Sequence, residues 1–131
     1  MTSRGPLLVV EDDEAFRHVI VTWLRHRGFE LLEADSAEDA QALLGRGAMP
    51  SLVLLDLNLP GSTGWELLRS ERFRRPGAPP VVIASAVTVD YRRLAEFRVA
   101  GYLPKPFPLE TLLATIERVL ASPTATPEEI A

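Results

Sequence analysis

Short apolar runs alternate with stretches of helical period along most of this chain. Leu7-Leu8-Val9-Val10 is continuous and too short for a helix, which suits a strand covered on both faces. Phe16, Val19, Ile20, Trp23 and Leu24 then recur at spacings of one to four, with Arg17, His18, Arg25 and His26 falling largely on other sides and Gly28 closing the segment. That pattern predicts an amphipathic helix. Phe29 to Ala34 predicts a second strand. Ser36, with Asp39 three positions on, marks the start of a short helix through Leu43 and Leu44 that Gly45 and Gly47 end.

The second half repeats the alternation. Ser51 to Leu55 predicts a third strand that delivers Asp56 at its carboxyl end. Leu57 to Thr63, with Pro60 and Gly61, is a loop, and Gly64 to about Phe73 predicts a third helix built on Leu67 and Leu68. Arg75 to Pro80 is a proline-rich connection, and Val81-Val82-Ile83-Ala84 a fourth strand ending at Ser85. About Asp90 to Val99 predicts a weaker helix with an incomplete stripe of Tyr91, Leu94 and Phe97. Tyr102 to Pro104 is a short fifth strand, and Leu109, Leu112, Leu113, Ile116 and Leu120 mark a strong closing helix. Five strands alternating with five helices imply an α/β protein with a doubly wound parallel sheet, because right-handed crossovers put helices on both faces.

Composition narrows the function classes. The length of 131 residues suits one domain, expected over residues 1–121, with 122–131 reading as a linker-like or frayed C-terminal tail. Without cysteine there is no disulfide framework and no thiolate metal site. A net charge of −4 offers no broad basic surface, so direct nucleic-acid binding is not expected. No run resembles a signal peptide or a membrane span, and a cytoplasmic location is the expectation. The arginines between Arg69 and Arg75 read as a solvated helix end.

Ligands of such sheets bind at the carboxyl ends of the strands. There the predicted strands place Glu11, Asp12 and Asp13, then Asp56, Ser85 and Lys105. Lys105 is the only lysine beside thirteen arginines, a compact ammonium kept between two prolines. Clustered carboxylates repel at neutral pH and are tolerated chiefly with a bound cation. An all-oxygen donor set with an open face suits magnesium, which often shares its shell with a phosphate. A lysine and a serine hydroxyl opposite would serve phosphoryl oxygens. Taken singly, Asp13 is a helix cap, His18 and His26 are surface residues, and Trp65 and Tyr102 are packing groups.

The stretches LLVVEDDEAFR (Leu7 to Arg17), LVLLDLNLPGSTGWELL (Leu52 to Leu68), VVIASA (Val81 to Ala86) and GYLPKPF (Gly101 to Phe107) together resemble a receiver domain of the two-component response regulators. The resemblance runs from about Leu7 to Leu120 and implies a CheY-like, flavodoxin-like fold. It implies Asp56 as phosphoacceptor from a histidine kinase or histidine phosphotransfer protein. Glu11, Asp12, Asp56 and the backbone carbonyl of Asn58 would hold Mg2+, Lys105 would pair with the phosphoryl group, and the Lys105-Pro106 bond would be cis. Ser85 and Tyr102 would be switch residues, altering the face made by the fourth helix, fifth strand and fifth helix. An unidentified downstream protein or output domain and a phosphorylation-dependent homodimer are further expectations. The short segment between Ser85 and Lys105 predicts a short or irregular fourth helix. Two other readings differ in class: a pseudo-receiver acting as a constitutive interaction module, and an aspartate-nucleophile phosphohydrolase. The first would lack an acidic or lysine position; the second would need an acid where Asn58 stands.

Overall fold

The computed structural model describes residues 5–121. Five strands form one parallel sheet in the order β2-β1-β3-β4-β5. They are β1 (Leu7–Val10), β2 (Leu31–Ala34), β3 (Leu52–Asp56), β4 (Val81–Ser85) and β5 (Gly101–Pro104). Six helices connect or follow them: α1 (Glu14–Arg25), α2 (Ala37–Gly45), α3 (Gly64–Arg69), α4 (Glu71–Arg74), α5 (Tyr91–Glu96) and α6 (Leu109–Ala121). The tail at 122–131 lies outside the described residues.

The continuous apolar runs are explained by two cores, one on each face. Alternate residues Leu8, Val10, Val53, Leu55 and Ile83 pack with Ala40 and Leu44 of α2, Leu67 and Leu68 of α3, and Leu94 of α5. Their neighbours Leu7, Val9, Leu52, Leu54 and Val82 pack with Ile20 and Leu24 of α1 and Leu112 and Ile116 of α6. A period-two strand with both faces buried therefore carries no polar position in its central stretch.

Three expectations are corrected. The predicted third helix is two, because Ser70 adopts extended backbone (ψ 154°) between α3 and α4, which gives six helices instead of five. The helix predicted over about Asp90 to Val99 is the six-residue α5, and Arg98 in left-handed backbone (φ 54°) turns the chain toward β5. Val19 and Tyr91, both assigned to apolar stripes, are 52% and 83% exposed. Val19 sits at the edge of the α1 stripe, and Tyr91 opens α5 before its buried Leu94.

The sheet order places the topological switch between β1 and β3, since the chain leaves β1 toward one edge and continues from β3 toward the other. Register completes the placement. Val10 lies opposite Leu55, so Glu11 and Asp56, the next residues along, arrive side by side. Ser85 lies opposite Pro104, and the Lys105 N–H donates to the Ser85 carbonyl at 2.8 Å.

Candidate acidic site at the switch point

The turn that leaves each strand fixes the acidic residue at its end. Glu11 and Asp56 are 3% and 6% exposed, whereas Asp12 faces solvent. One carboxylate oxygen from each lies within 4.8 Å of the others. Asp13 stands outside this trio: its side chain accepts from the Phe16 N–H at 3.0 Å and caps α1. Glu11 Oε2 accepts from the Asp13 N–H at 3.2 Å, and Asp56 Oδ1 accepts from the Asn58 N–H at 3.1 Å. These bonds hold both buried carboxylates in place and leave their other oxygens toward the hollow.

The ammonium of Lys105 enters from the loop after β5. Nζ lies 2.6 Å from Glu11 Oε1 and 3.5 Å from Asp56 Oδ2. Burial pulls its pKa down, but the hydrogen bond to Glu11 and the charges of Asp56 and Glu11 outweigh that and hold it above the ordinary lysine value. Three carboxylates against this one ammonium leave a double negative charge. The oxygen donor set and that charge fit a hard divalent cation. The Lys105-Pro106 peptide is cis, as the family resemblance implied.

Of the remaining predicted residues, Ser85 and Tyr102 bond to Val87 and not to the carboxylates. Ser85 is 1% exposed and its hydroxyl accepts from the Val87 N–H at 3.2 Å. The Tyr102 hydroxyl donates to the Val87 carbonyl at 3.3 Å while its ring packs on the α2–α3–α5 side of the sheet. Ser85 and Tyr102 thus converge on one residue of the β4–α5 loop. Asn58 meets the site through its backbone. His18 and His26 are exposed, and Trp65 packs 5.2 Å from the Phe97 ring with the Arg93 guanidinium 4.0 Å over its face.

Two residues of the site carry no mark in the sequence, Arg17 and Phe16. Arg17 Nη1 donates to the Glu11 carbonyl at 2.6 Å while its Nε pairs with Glu33 on β2 at 3.1 Å, so α1 grips the end of β1. The Phe16 ring lies 4.7 Å from Lys105 Nζ and meets Phe107 edge-on at 5.8 Å. The only sequence signal for either is position, one turn into the helix that succeeds the acidic strand end.

The β3–α3 loop is fixed at both ends. Glu38 on α2 accepts from the Ser62 N–H at 3.4 Å, and its own N–H together with Ser62 keeps its carboxyl below the usual range. At the other end, a Cβ on Gly64 would lie 2.7 Å from the Asp56 carbonyl oxygen and 2.9 Å from Leu57 Cα. Only glycine lets α3 begin this close to the carboxyl end of β3.

A model of the response regulator receiver domain matches residues 7–117. The chain belongs to that family. The receiver is 40% identical over 114 residues to the response regulator protein FleR of Pseudomonas aeruginosa, covering 86% of this chain and 24% of the relative. It is 39% identical over 116 residues to the transcriptional activator protein PfeR of the same organism, covering 87% and 37%. The receiver therefore spans well under two thirds of these relatives. Among solved structures, a CheY-like receiver domain protein from Methanospirillum hungatei superposes with a TM-score of 0.83 at 25% identity, covering 92% of this chain and 97% of the other. The CheY-like, flavodoxin-like architecture expected from the sequence is the one observed. Among the described residues, no helix is long and apolar enough to cross a membrane.

Proposed function

We propose that this receiver accepts a phosphoryl group on Asp56 from a phosphohistidine of a histidine kinase or phosphotransfer protein. The observation that carries the reading is the gathering of Glu11, Asp12 and Asp56 within 4.8 Å, with the Lys105 ammonium facing them. An Asp56 carboxylate oxygen attacks phosphorus in line, the P–N bond breaks, and its electron pair returns to the imidazole of the donor. The transfer asks mainly for positioning and charge neutralisation.

Glu11, Asp12, Asp56 and the Asn58 backbone carbonyl would hold Mg2+. When bound, the ion supplies positive charge against the incoming phosphoryl oxygens and the carboxylates. Lys105 provides a second point charge on the phosphoryl group. Ser85 leaves its bond with the Val87 N–H to donate to a phosphoryl oxygen, and Tyr102 responds by leaving the Val87 carbonyl. This remodels the face of α5, β5 and α6, where a downstream partner, an output domain or a second copy of the receiver would bind. The unit doing this is the receiver at 1–121, in the cytoplasm.

Retention of every acidic and lysine position disfavours a constitutive pseudo-receiver. The amide at Asn58 disfavours a turnover hydrolase, which needs a proton-transferring acid there. Any hydrolysis of the phosphoaspartate is therefore slow. An NMR titration with beryllofluoride and Mg2+ tests this function: Asp56, Ser85, Tyr102 and Lys105 amides should shift together, and an unchanged spectrum would contradict it.

A further inference from the structure

We infer that Arg17 is a positioning residue for the Mg2+ site: it holds the Glu11–Asp12 peptide in the orientation that brings Asp12 to the other two carboxylates. The inference rests on the reading of the hollow as a Mg2+ and phosphoryl site, and adds to it a residue outside the ligand set.

The three carboxylates are held in different ways. Glu11 accepts from the Lys105 ammonium at 2.6 Å and from the Asp13 N–H at 3.2 Å, and Asp56 accepts from the Asn58 N–H at 3.1 Å. The Asp12 carboxylate is exposed and, among the described residues, makes no ion pair and no side-chain hydrogen bond. Its place within 4.8 Å of the others is therefore set through its backbone. The peptide before Glu11 belongs to the sheet, its N–H donating to the Ala34 carbonyl of β2 at 3.0 Å. The peptide after Glu11 leaves the sheet and leads into Asp12. Its carbonyl accepts from Arg17 Nη1 at 2.6 Å.

The guanidinium is itself fixed. Its Nε pairs with Glu33 at 3.1 Å, and only 15% of the Arg17 side chain is exposed, so water screens these bonds weakly. Glu33 stands on β2 opposite Val9 and also faces Arg25 at 3.7 Å. One planar fork thus spans a carboxylate on β2 and a carbonyl at the end of β1, from a helix whose start is capped by Asp13. Groups that orient metal ligands from behind commonly carry tenfold to a hundredfold of metal affinity. Arg17 differs from most of them in being a cation. By charge alone it repels Mg2+, so its electrostatic effect and its positioning effect have opposite signs.

The test is a Mg2+ titration of the whole chain, followed by amide NMR at constant ionic strength, for the wild type, Arg17→Met, Arg17→Lys and Arg25→Met. Arg17→Met should bind Mg2+ roughly tenfold more weakly although it removes a positive charge. Arg17→Lys keeps the charge and loses the fork; it should fall between Arg17→Met and the wild type, and as the gentler change it decides the matter should Arg17→Met fail to fold. Arg25→Met takes an equal charge from the other side of Glu33 and should leave Mg2+ affinity at or above that of the wild type. In EDTA, before any ion is added, the Glu11 carbonyl and Asp12 amide resonances should move in the Arg17 variants and stay in place in Arg25→Met. Mg2+ affinity equal to or tighter than wild type in the Arg17 variants, an equal loss in Arg25→Met, or unmoved Glu11 and Asp12 resonances would each overturn the role of Arg17. A wild type that binds no Mg2+ would instead overturn the reading of the hollow, and this role with it.

Discussion

Lys105 Nζ donates to Glu11 Oε1 at 2.6 Å, tying together residues 94 apart in sequence at the switch point of the sheet. Glu11 is almost wholly buried, so this ammonium is its principal compensation. Breaking a buried pair by removing one partner strands the other charge. Lys105→Met is therefore expected to cost about 3 kcal/mol in urea denaturation. Lys105→Arg keeps the charge and most of that stability, but a planar fork cannot occupy the same point between two carboxylates. Its expected signature is phosphorylation without the partner binding or dimerisation expected of the phosphorylated wild type, read by size-exclusion chromatography.

The same pair sets an alkaline pH dependence. The folded pKa of Lys105 is raised, so its contribution is fully present below the unfolded lysine value of about 10.4 and is lost as pH rises through the folded value. Urea midpoints measured from neutral to strongly alkaline pH should fall more steeply above about pH 10.4 in the wild type than in Lys105→Met.

Asp12 meets the other carboxylates with no ion pair of its own among the described residues. Asp12→Asn removes a repulsion and should raise metal-free stability by about 1 kcal/mol, or about 4 °C in Tm. Mg2+ at a hundredfold excess over its Kd should stabilise the wild type by about 2.7 kcal/mol and the variant far less. Calorimetry of both proteins with and without Mg2+ checks the pair of effects.

Gly64→Ala presses a Cβ against the backbone of Asp56 and Leu57, where neither neighbour can give way. A loss of about 2 kcal/mol or more in denaturant unfolding is expected, together with shifted Asp56 and Leu57 amide resonances. Gly77→Ala, with nothing near its Cβ, controls for loss of flexibility, with only the cost of its left-handed backbone (φ 84°).

The sheet was legible because its cause is local. Runs such as Leu7–Val10 and Leu52–Leu55 have no solvent face, and parallel packing between two helical layers is what accommodates them. The carboxylates and Lys105 were legible because the strand ends that carry them must meet at one edge. The break at Ser70 was not, since Arg69, Ser70 and Glu71 are all compatible with a continuous helix and the turn is set by tertiary packing. Arg17 was hidden for a related reason. A polar residue on an amphipathic helix reads as solvent-facing, and only the fold shows that it reaches back to the Glu11 carbonyl. Val19 marks the limit of a stripe argument, because 3.6-residue periodicity gives a direction and not a depth.

Phosphoryl transfer to Asp56 in a hollow completed by Mg2+ is read most directly by intact-mass spectrometry after incubation with acetyl phosphate. The wild type should gain one phosphoryl group with Mg2+ and little in EDTA, and Asp56→Ala should gain none. Equal modification of Asp56→Ala, or modification indifferent to Mg2+, would contradict the assignment.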